Sequence, residues 1–233
     1  CTNINQIGVI LAQFKITKGL NLPLSGAAEK NLSTLPLGKL TGLTTTDFHF
    51  KFKLLCKVDD YVKVGSPLVC DKEHPELKLV STASGRVTEI VRGDRRALLA
   101  IIIETDGQQE RIEFGSIPEN ASREDIVSRL LDSGMWPIIR QRPFDVVANS
   151  KLTPKSIFVN AMHTSPLAPS NCFIVKGREA AFQRGLDLLT KLTDGTVHLS
   201  HAKNCRTKAF SEAKNVTIHS FSGPHPAGLT STH

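Results

Sequence analysis

Val62-Lys-Val-Gly65-Ser-Pro67-Leu-Val is the segment from which the fold of this chain is read. It predicts a short strand, a glycine turn and a second strand. Ser81-Thr-Ala-Ser-Gly85-Arg-Val87 repeats the pattern, with Gly85 where the backbone must bend. Val58–Val91 is thus a β module. Just before it, Phe48, Phe50 and Phe52 alternate with Asp47, His49 and Lys51, which predicts a half-buried strand over Thr46–Lys53. Just after it, the apolar strand Leu98–Ile103 closes the module, which runs to about Gly107.

This arrangement resembles the barrel-sandwich hybrid of lipoyl- and biotinyl-carrier domains, where a lysine sits at the tip of the hairpin between the two halves. Lys72 lies 13 positions before Gly85 and Lys78 lies 7 before it, with His74-Pro75 between them. A swinging-arm lysine needs a tight two-residue hairpin that presents it outward. Pro75 and the longer tip argue for a structural module without the arm.

The 233 residues suffice for one large domain or two small ones with a good core. The longest apolar run, Ala97–Ile103, is far shorter than the ~20 residues of a spanning helix. Cys1–Gln13 lacks the basic start and cleavage site of a signal peptide, so the expected location is the cytoplasm. A net charge of +7 favours an anionic partner. The cations are scattered and aromatics make up only 6%, so nucleic acid is not the expected partner, and docking beside a membrane or on another subunit suits the pattern better. Cys1, Cys56, Cys70, Cys172 and Cys205 are widely spaced and odd in number, without Cys-x-x-Cys. They are expected to be reduced, mostly structural thiols, with no local zinc or iron–sulfur site.

Along the chain, Ile7–Ile16 predicts an entering strand and Ser25–Thr41 an irregular segment. Ser122-Arg-Glu-Asp125 predicts a helix start with Ser122 as N-cap. Ile126, Leu130 and Leu131 form its buried face, and Gly134 ends it. Beyond Phe144 the pattern becomes β-α-β: strands at Ser156–Val159, Val197–Leu199 and Val216–His219, and an amphipathic helix over Arg178–Leu192 (Phe182, Leu186, Leu189). That spacing predicts a parallel sheet with right-handed crossovers. No internal repeat stands out.

A dinucleotide fingerprint needs Gly-x-Gly so that backbone can approach the pyrophosphate, and none of the 16 glycines has another two positions away. Gly-x-Ser-x-Gly is absent too. Gly223-Pro-His-Pro-Ala-Gly228 has the glycine spacing of a phosphate loop, but Leu229 stands in the lysine position and Pro224 and Pro226 lack N–H donors. It reads as a stiff loop at the carboxyl end of a strand, where binding surfaces occur. His219, His225 and His233, 6 and 8 positions apart, match no common zinc spacing, and no metal site is assigned.

Ser133-Gly-Met-Trp136-Pro-Ile-Ile-Arg140-Gln-Arg142-Pro-Phe144 holds the single Trp and two alternate arginines. A quinone needs a flat apolar slot and a donor to its carbonyl oxygen, which Trp136, Phe144 and Arg140 or Arg142 could supply. The plainer reading makes Trp136 core and pairs the arginines with carboxylates. Arg92, Arg95 and Arg96 surround the turn Gly93-Asp94 and are either a solvated hairpin or an anion-docking knuckle.

Five blocks together resemble one family, the A subunits of the bacterial sodium-translocating NADH:quinone reductase. They are Ile16-Thr-Lys18-Gly19-Leu-Asn-Leu-Pro23; Ser84-Gly-Arg-Val with Arg92-Gly-Asp-Arg-Arg; Ser133-Gly-Met-Trp136 through Arg142-Pro-Phe144; Ile157-Phe-Val-Asn160-Ala-Met162-His-Thr-Ser-Pro166-Leu-Ala168; and Gly223-Pro-His-Pro-Ala-Gly228-Leu-Thr-Ser-Thr-His233. They run in family order and correspond to the N-terminal portion of a family member. Thr44–Leu55 departs from the family's Gly-Met-Arg-Pro turn. The resemblance implies a peripheral subunit on the cytoplasmic side of the inner membrane, in a complex that oxidises NADH, reduces ubiquinone and pumps sodium outward. Flavins and the iron–sulfur centre are then expected in other subunits, with ubiquinone as substrate and no tightly bound cofactor in this chain.

The expected fold is mixed α/β: an N-terminal strand and loop (1–42), a barrel-sandwich module (43–110), a helical connector (111–150) and a truncated parallel, Rossmann-like α/β domain (151–233). The expected quinone-binding residues are Trp136, Arg140, Arg142 and Phe144, and the expected docking residues Arg92, Arg95 and Arg96. The rival function is a non-catalytic assembly module of a membrane electron-transport complex.

Overall fold

The structure, a computed structural model, describes residues 10–26, 29–34, 36, 38–45, 47–48 and 50–233. The chain opens with β1 (Ile10–Lys15). Next come β2 (Leu40–Thr44), β3 (Phe52–Leu54), β4 (Tyr61–Val62), β5 (Pro67–Asp71), β6 (Lys78–Val80), β7 (Gly85–Arg92) and β8 (Leu98–Thr105). Helix α1 (Arg123–Asp132) leads to the short strands β9 (Arg140–Gln141) and β10 (Val146–Val147). The remainder is β11 (Ser156–Ala161), α2 (Asn171–Ile174), α3 (Glu179–Thr190), β12 (Thr196–Ala202), α4 (Lys208–Ser211) and β13 (Thr217–Ser222). Two compact units result, residues 33–152 and residues 1–32 with 153–233.

The first of these is the barrel-sandwich hybrid. One sheet has the order β2-β8-β7-β4 and the other β3-β5-β6. Leu68, Val69, Val87 and Ile101 are completely enclosed between them, each contributing about 1.5–3 kcal/mol of burial. Gly85 turns with φ +150°, and a Cβ there would stand 2.0 Å from the Glu104 carbonyl oxygen, so no other residue fits the bend. Phe48, Phe50 and Phe52 do alternate inward, packing on this core with centroids 5.6 and 5.7 Å apart. Yet the strand is only Phe52–Leu54, shorter than its pattern implies, and Thr46 and His49 lie outside the described residues. Ser25–Thr41 is not irregular to its end, because Leu40–Thr44 pairs antiparallel with β8.

α1 begins on a complete capping box. The Ser122 hydroxyl accepts the Asp125 N–H at 3.1 Å, and the Asp125 carboxylate accepts the Ser122 N–H at 3.0 Å. Aspartate thus takes the part more often given to glutamate. Ile126 and Val127 are its buried residues, whereas Leu130 and Leu131 are only half-buried.

The second unit is a parallel sheet of order β1-β13-β12-β11. The strand expected over Ile7–Ile16 is β1, and residues 7–9 lie outside the described residues. It pairs in parallel with β13, some two hundred positions away. From β11 to β12 to β13 each step moves one strand in the same direction, so right-handed crossovers put both connections on one face. Leu186 of α3 and Phe210 of α4 accordingly share one core with Leu199 and Ile218. The helix expected over Arg178–Leu192 spans Glu179–Thr190. The thiol expectation fails at two positions: Cys172 and Cys205, 33 residues apart, form a disulfide with Cα atoms 5.9 Å apart, while Cys56 and Cys70 are free and buried.

Candidate functional site

The segment after α1 folds into a hairpin on a buried base. A 3-10 turn, Trp136–Ile138, sets Trp136 into the barrel-sandwich unit with 4% exposure, and its indole N–H donates to the Ala148 carbonyl at 2.7 Å. β9 and β10 then pair antiparallel, Gln141 opposite Val146 and Arg140 opposite Val147, leaving residues 142–145 as the tip. Arg140 is engaged on three sides. Its Nε lies 4.0 Å from Asp145, a terminal nitrogen donates to the Asp47 carbonyl at 3.4 Å, and the guanidinium sits 5.8 Å above the Phe48 ring. Arg142 is exposed and has no partner among the described residues. Phe144 is 82% exposed.

The structure therefore separates the four residues expected to make one slot. Trp136 is core with its polar atom satisfied, and no ring contact joins it to Phe144 among the described residues. Arg142 and Phe144 share the tip, and Arg140 fastens it.

The arginine turn joins β7 to β8. Arg92, Arg95 and Arg96 are all exposed, and no carboxylate pairs with them among the described residues. Arg92 donates to the Arg96 carbonyl at 3.1 Å. Arg95 and Arg96 have φ of +53° and +61°, a left-handed conformation costing about 1–2 kcal/mol per L residue. At the other hairpin, Lys72 is exposed in the loop between β5 and β6, and Lys78 lies within β6, where its ammonium is 3.5 Å from Asp132.

At the carboxyl edge of the parallel sheet, the loop Gly223–Gly228 is knitted into its neighbours. The Gly228 N–H donates to the Thr164 hydroxyl at 3.0 Å, and that hydroxyl meets His225 Nδ1 at 3.1 Å. Asn160 donates its side-chain amide to the Gly228 carbonyl at 3.0 Å, and the His225 N–H donates to Asn21 at 3.0 Å. Gly19, φ +149°, passes so close that a Cβ would be 1.9 Å from the His225 carbonyl oxygen. The loop's polar groups are thus committed to holding strand ends together.

His219, His225 and His233 go to different partners. His219 Nε2 lies 3.0 Å from His198 Nδ1, His225 meets Thr164, and the His233 ring lies 4.1 Å from Phe221. Among the described residues no group of three or more His, Cys, Asp or Glu side chains could hold a metal. His198, which the sequence motifs do not single out, stacks on Phe158 at 4.9 Å. Strand alternation carries its signal: His198 stands between inward Val197 and Leu199, and so faces away from the helices. Burial holds both His198 and His219 below the usual imidazole range, and for His219 the neighbouring His198 and His233 push in the same direction. Among the described residues no helix is long and apolar enough to cross a membrane.

A barrel-sandwich hybrid and a parallel α/β unit, with exposed arginines on two hairpins of the first, define a two-unit protein. Comparison with known proteins carries this further. Residues 14–106 match the family model of the NqrA N-terminal barrel-sandwich hybrid domain, and residues 121–233 match that of the NqrA second alpha/beta domain. The chain is 38% identical over 224 residues to the Na(+)-translocating NADH-quinone reductase A subunit of Marinomonas sp. (strain MWYL1), covering 94% of this chain and 50% of that protein. The protein of the same name from Tolumonas auensis is 40% identical over 223 residues, with 94% and 49% covered. That of Serratia proteamaculans is 38% identical over 225 residues, with 94% and 50% covered. The chain belongs to the NqrA family, and it spans about half the length of the curated relatives it matches.

Proposed function

We propose that this chain acts within a peripheral subunit on the cytoplasmic side of the inner membrane, in a complex that oxidises NADH, reduces ubiquinone and moves sodium outward. Family membership supports this reading, since the relatives are named as A subunits of Na(+)-translocating NADH-quinone reductase. In it the chain helps bind ubiquinone and assemble the complex, while flavins and the iron–sulfur centre belong to other subunits.

The observation that carries the quinone contact is the hairpin tip, where a largely exposed Phe144 and an unpartnered Arg142 stand together on a rigid base. Phe144 covers the face of the quinone ring. Arg142 donates to a carbonyl oxygen, a bond that strengthens as negative charge develops on reduction. Trp136 is the buried footing, and Arg140 positions the tip through Asp145 and Phe48. In the assembled complex Arg142→Ala should lower kcat/KM for ubiquinone about tenfold or more, because a charge-assisted hydrogen bond contributes roughly 1.5–3 kcal/mol. Normal ubiquinone kinetics in both Arg140→Ala and Arg142→Ala complexes contradict the assignment.

The turn at Arg92–Arg96 favours a second role, docking. Three exposed arginines with two residues in a costly backbone conformation fit a surface held for a partner. Charge reversal at Arg92 and Arg96 should weaken complex assembly while leaving quinone affinity unchanged in what still assembles.

A further inference from the structure

Beside the Cys172–Cys205 disulfide lies a pocket of about 510 Å³ that no part of the proposed quinone or docking chemistry uses. Three cations line it: Lys30, Lys176 and Arg206. All three are exposed, and none takes part in an ion pair among the described residues. The single lining carboxylate, Glu179, is already committed. Its Oε1 accepts the Gly177 N–H at 3.0 Å, and backbone N–H groups, with a smaller contribution from the Lys176 charge, hold its carboxyl below the usual range. Three cations against one carboxylate leave a net two positive charges around one cavity.

The remaining lining groups suit an oxyanion. Ser170 and Thr207 each precede a short helix, yet neither hydroxyl makes a capping bond, so both are open to donate. Ammonium groups serve as point charges, a guanidinium grips two oxygens in its planar fork, and hydroxyls complete the shell. The disulfide ties the wall bearing Ser170 and Lys176 to the wall bearing Arg206 and Thr207, with Cα atoms 5.9 Å apart. The two backbone segments that carry these donors are thus tied together before any ligand arrives.

We infer that this pocket binds a phosphate-bearing anion. A phosphate monoester carries about −1.5 to −2 charges at pH 7, which matches that net charge better than a monocarboxylate does. The volume leaves room for the group to which the phosphate is attached. Two sources share this chemistry, a small phosphate monoester in solution and the phosphomonoester headgroup of phosphatidic acid.

The test uses the 233-residue chain with two probes: inorganic phosphate followed by calorimetry, and flotation with phosphatidic acid–phosphatidylcholine vesicles against pure phosphatidylcholine. Lys176→Gln/Arg206→Gln changes only exposed side chains and should keep the wild-type circular dichroism spectrum. It should weaken phosphate Kd at least tenfold, vesicle flotation, or both, while Lys53→Gln, an exposed change in the other unit, binds like wild type. Phosphate binding without flotation assigns the small ester, and flotation lost in the double variant assigns the headgroup. Failure of both probes to bind, or equal binding by wild type and the double variant, overturns the inference. Neither result depends on quinone kinetics.

Discussion

His198 Nδ1 lies 3.0 Å from His219 Nε2 on the neighbouring strand, on the sheet face opposite the helices. One ring must donate and the other accept, so the bond between them forms with both rings neutral, and His219 Nδ1 is left buried with no hydrogen-bond partner among the described residues. Burial lowers the pKa of each. A depressed folded-state pKa means that these histidines contribute stability fully above the unfolded value, near 6.5, which is lost as pH falls through the folded pKa. Urea unfolding of the chain should therefore show a plateau above about pH 7 and a decline below about 6.5. His198→Phe, able to stack on Phe158, should flatten that decline; an unchanged slope would count against the pair.

Trp136 and Phe144 should respond in opposite ways. Trp136→Ala opens a cavity in the barrel-sandwich unit and strands the Ala148 carbonyl, which should cost about 3–5 kcal/mol. Phe144→Ala, at an exposed tip, should change stability by less than about 0.5 kcal/mol while lowering the affinity of the complex for ubiquinone. Chemical denaturation beside steady-state kinetics separates the two.

The Gly85 bend and the Ser122 cap give two stability predictions of different size. Gly85→Ala drives a Cβ against the Glu104 carbonyl and should lose more than about 2 kcal/mol. Ser122→Ala removes one side of the capping box and should lose about 1 kcal/mol, partly recovered by Ser122→Asp. Equal losses at both sites would mean the bend is softer than its geometry implies.

Much of this molecule can be read locally. Gly65 and Gly85 mark the turns of the barrel-sandwich unit, the phenylalanine alternation marks its wall, and Ser122 with Asp125 marks the start of α1. Pairings across long distances cannot be read this way. Nothing near Ile10 announces that its strand will lie beside β13, because packing of the completed sheet selects that partner. The Cys172–Cys205 bridge is hidden for the same reason, since an odd set of scattered cysteines carries no pairing signal. At the candidate site, the residue types and their crowding between Ser133 and Phe144 are legible. Their division into a buried Trp136, an anchored Arg140 and a free Arg142–Phe144 tip is not, because it depends on where the β9–β10 hairpin turns and on what Asp145 and Phe48 hold.

The placement of ubiquinone at the Arg142–Phe144 tip is tested most directly by a photoreactive ubiquinone analogue applied to the assembled complex, with the labelled peptides mapped by mass spectrometry. The label should fall on the peptide containing Arg140–Phe144 and be displaced by excess ubiquinone. Displaceable label confined to other segments, or to other subunits, would contradict it.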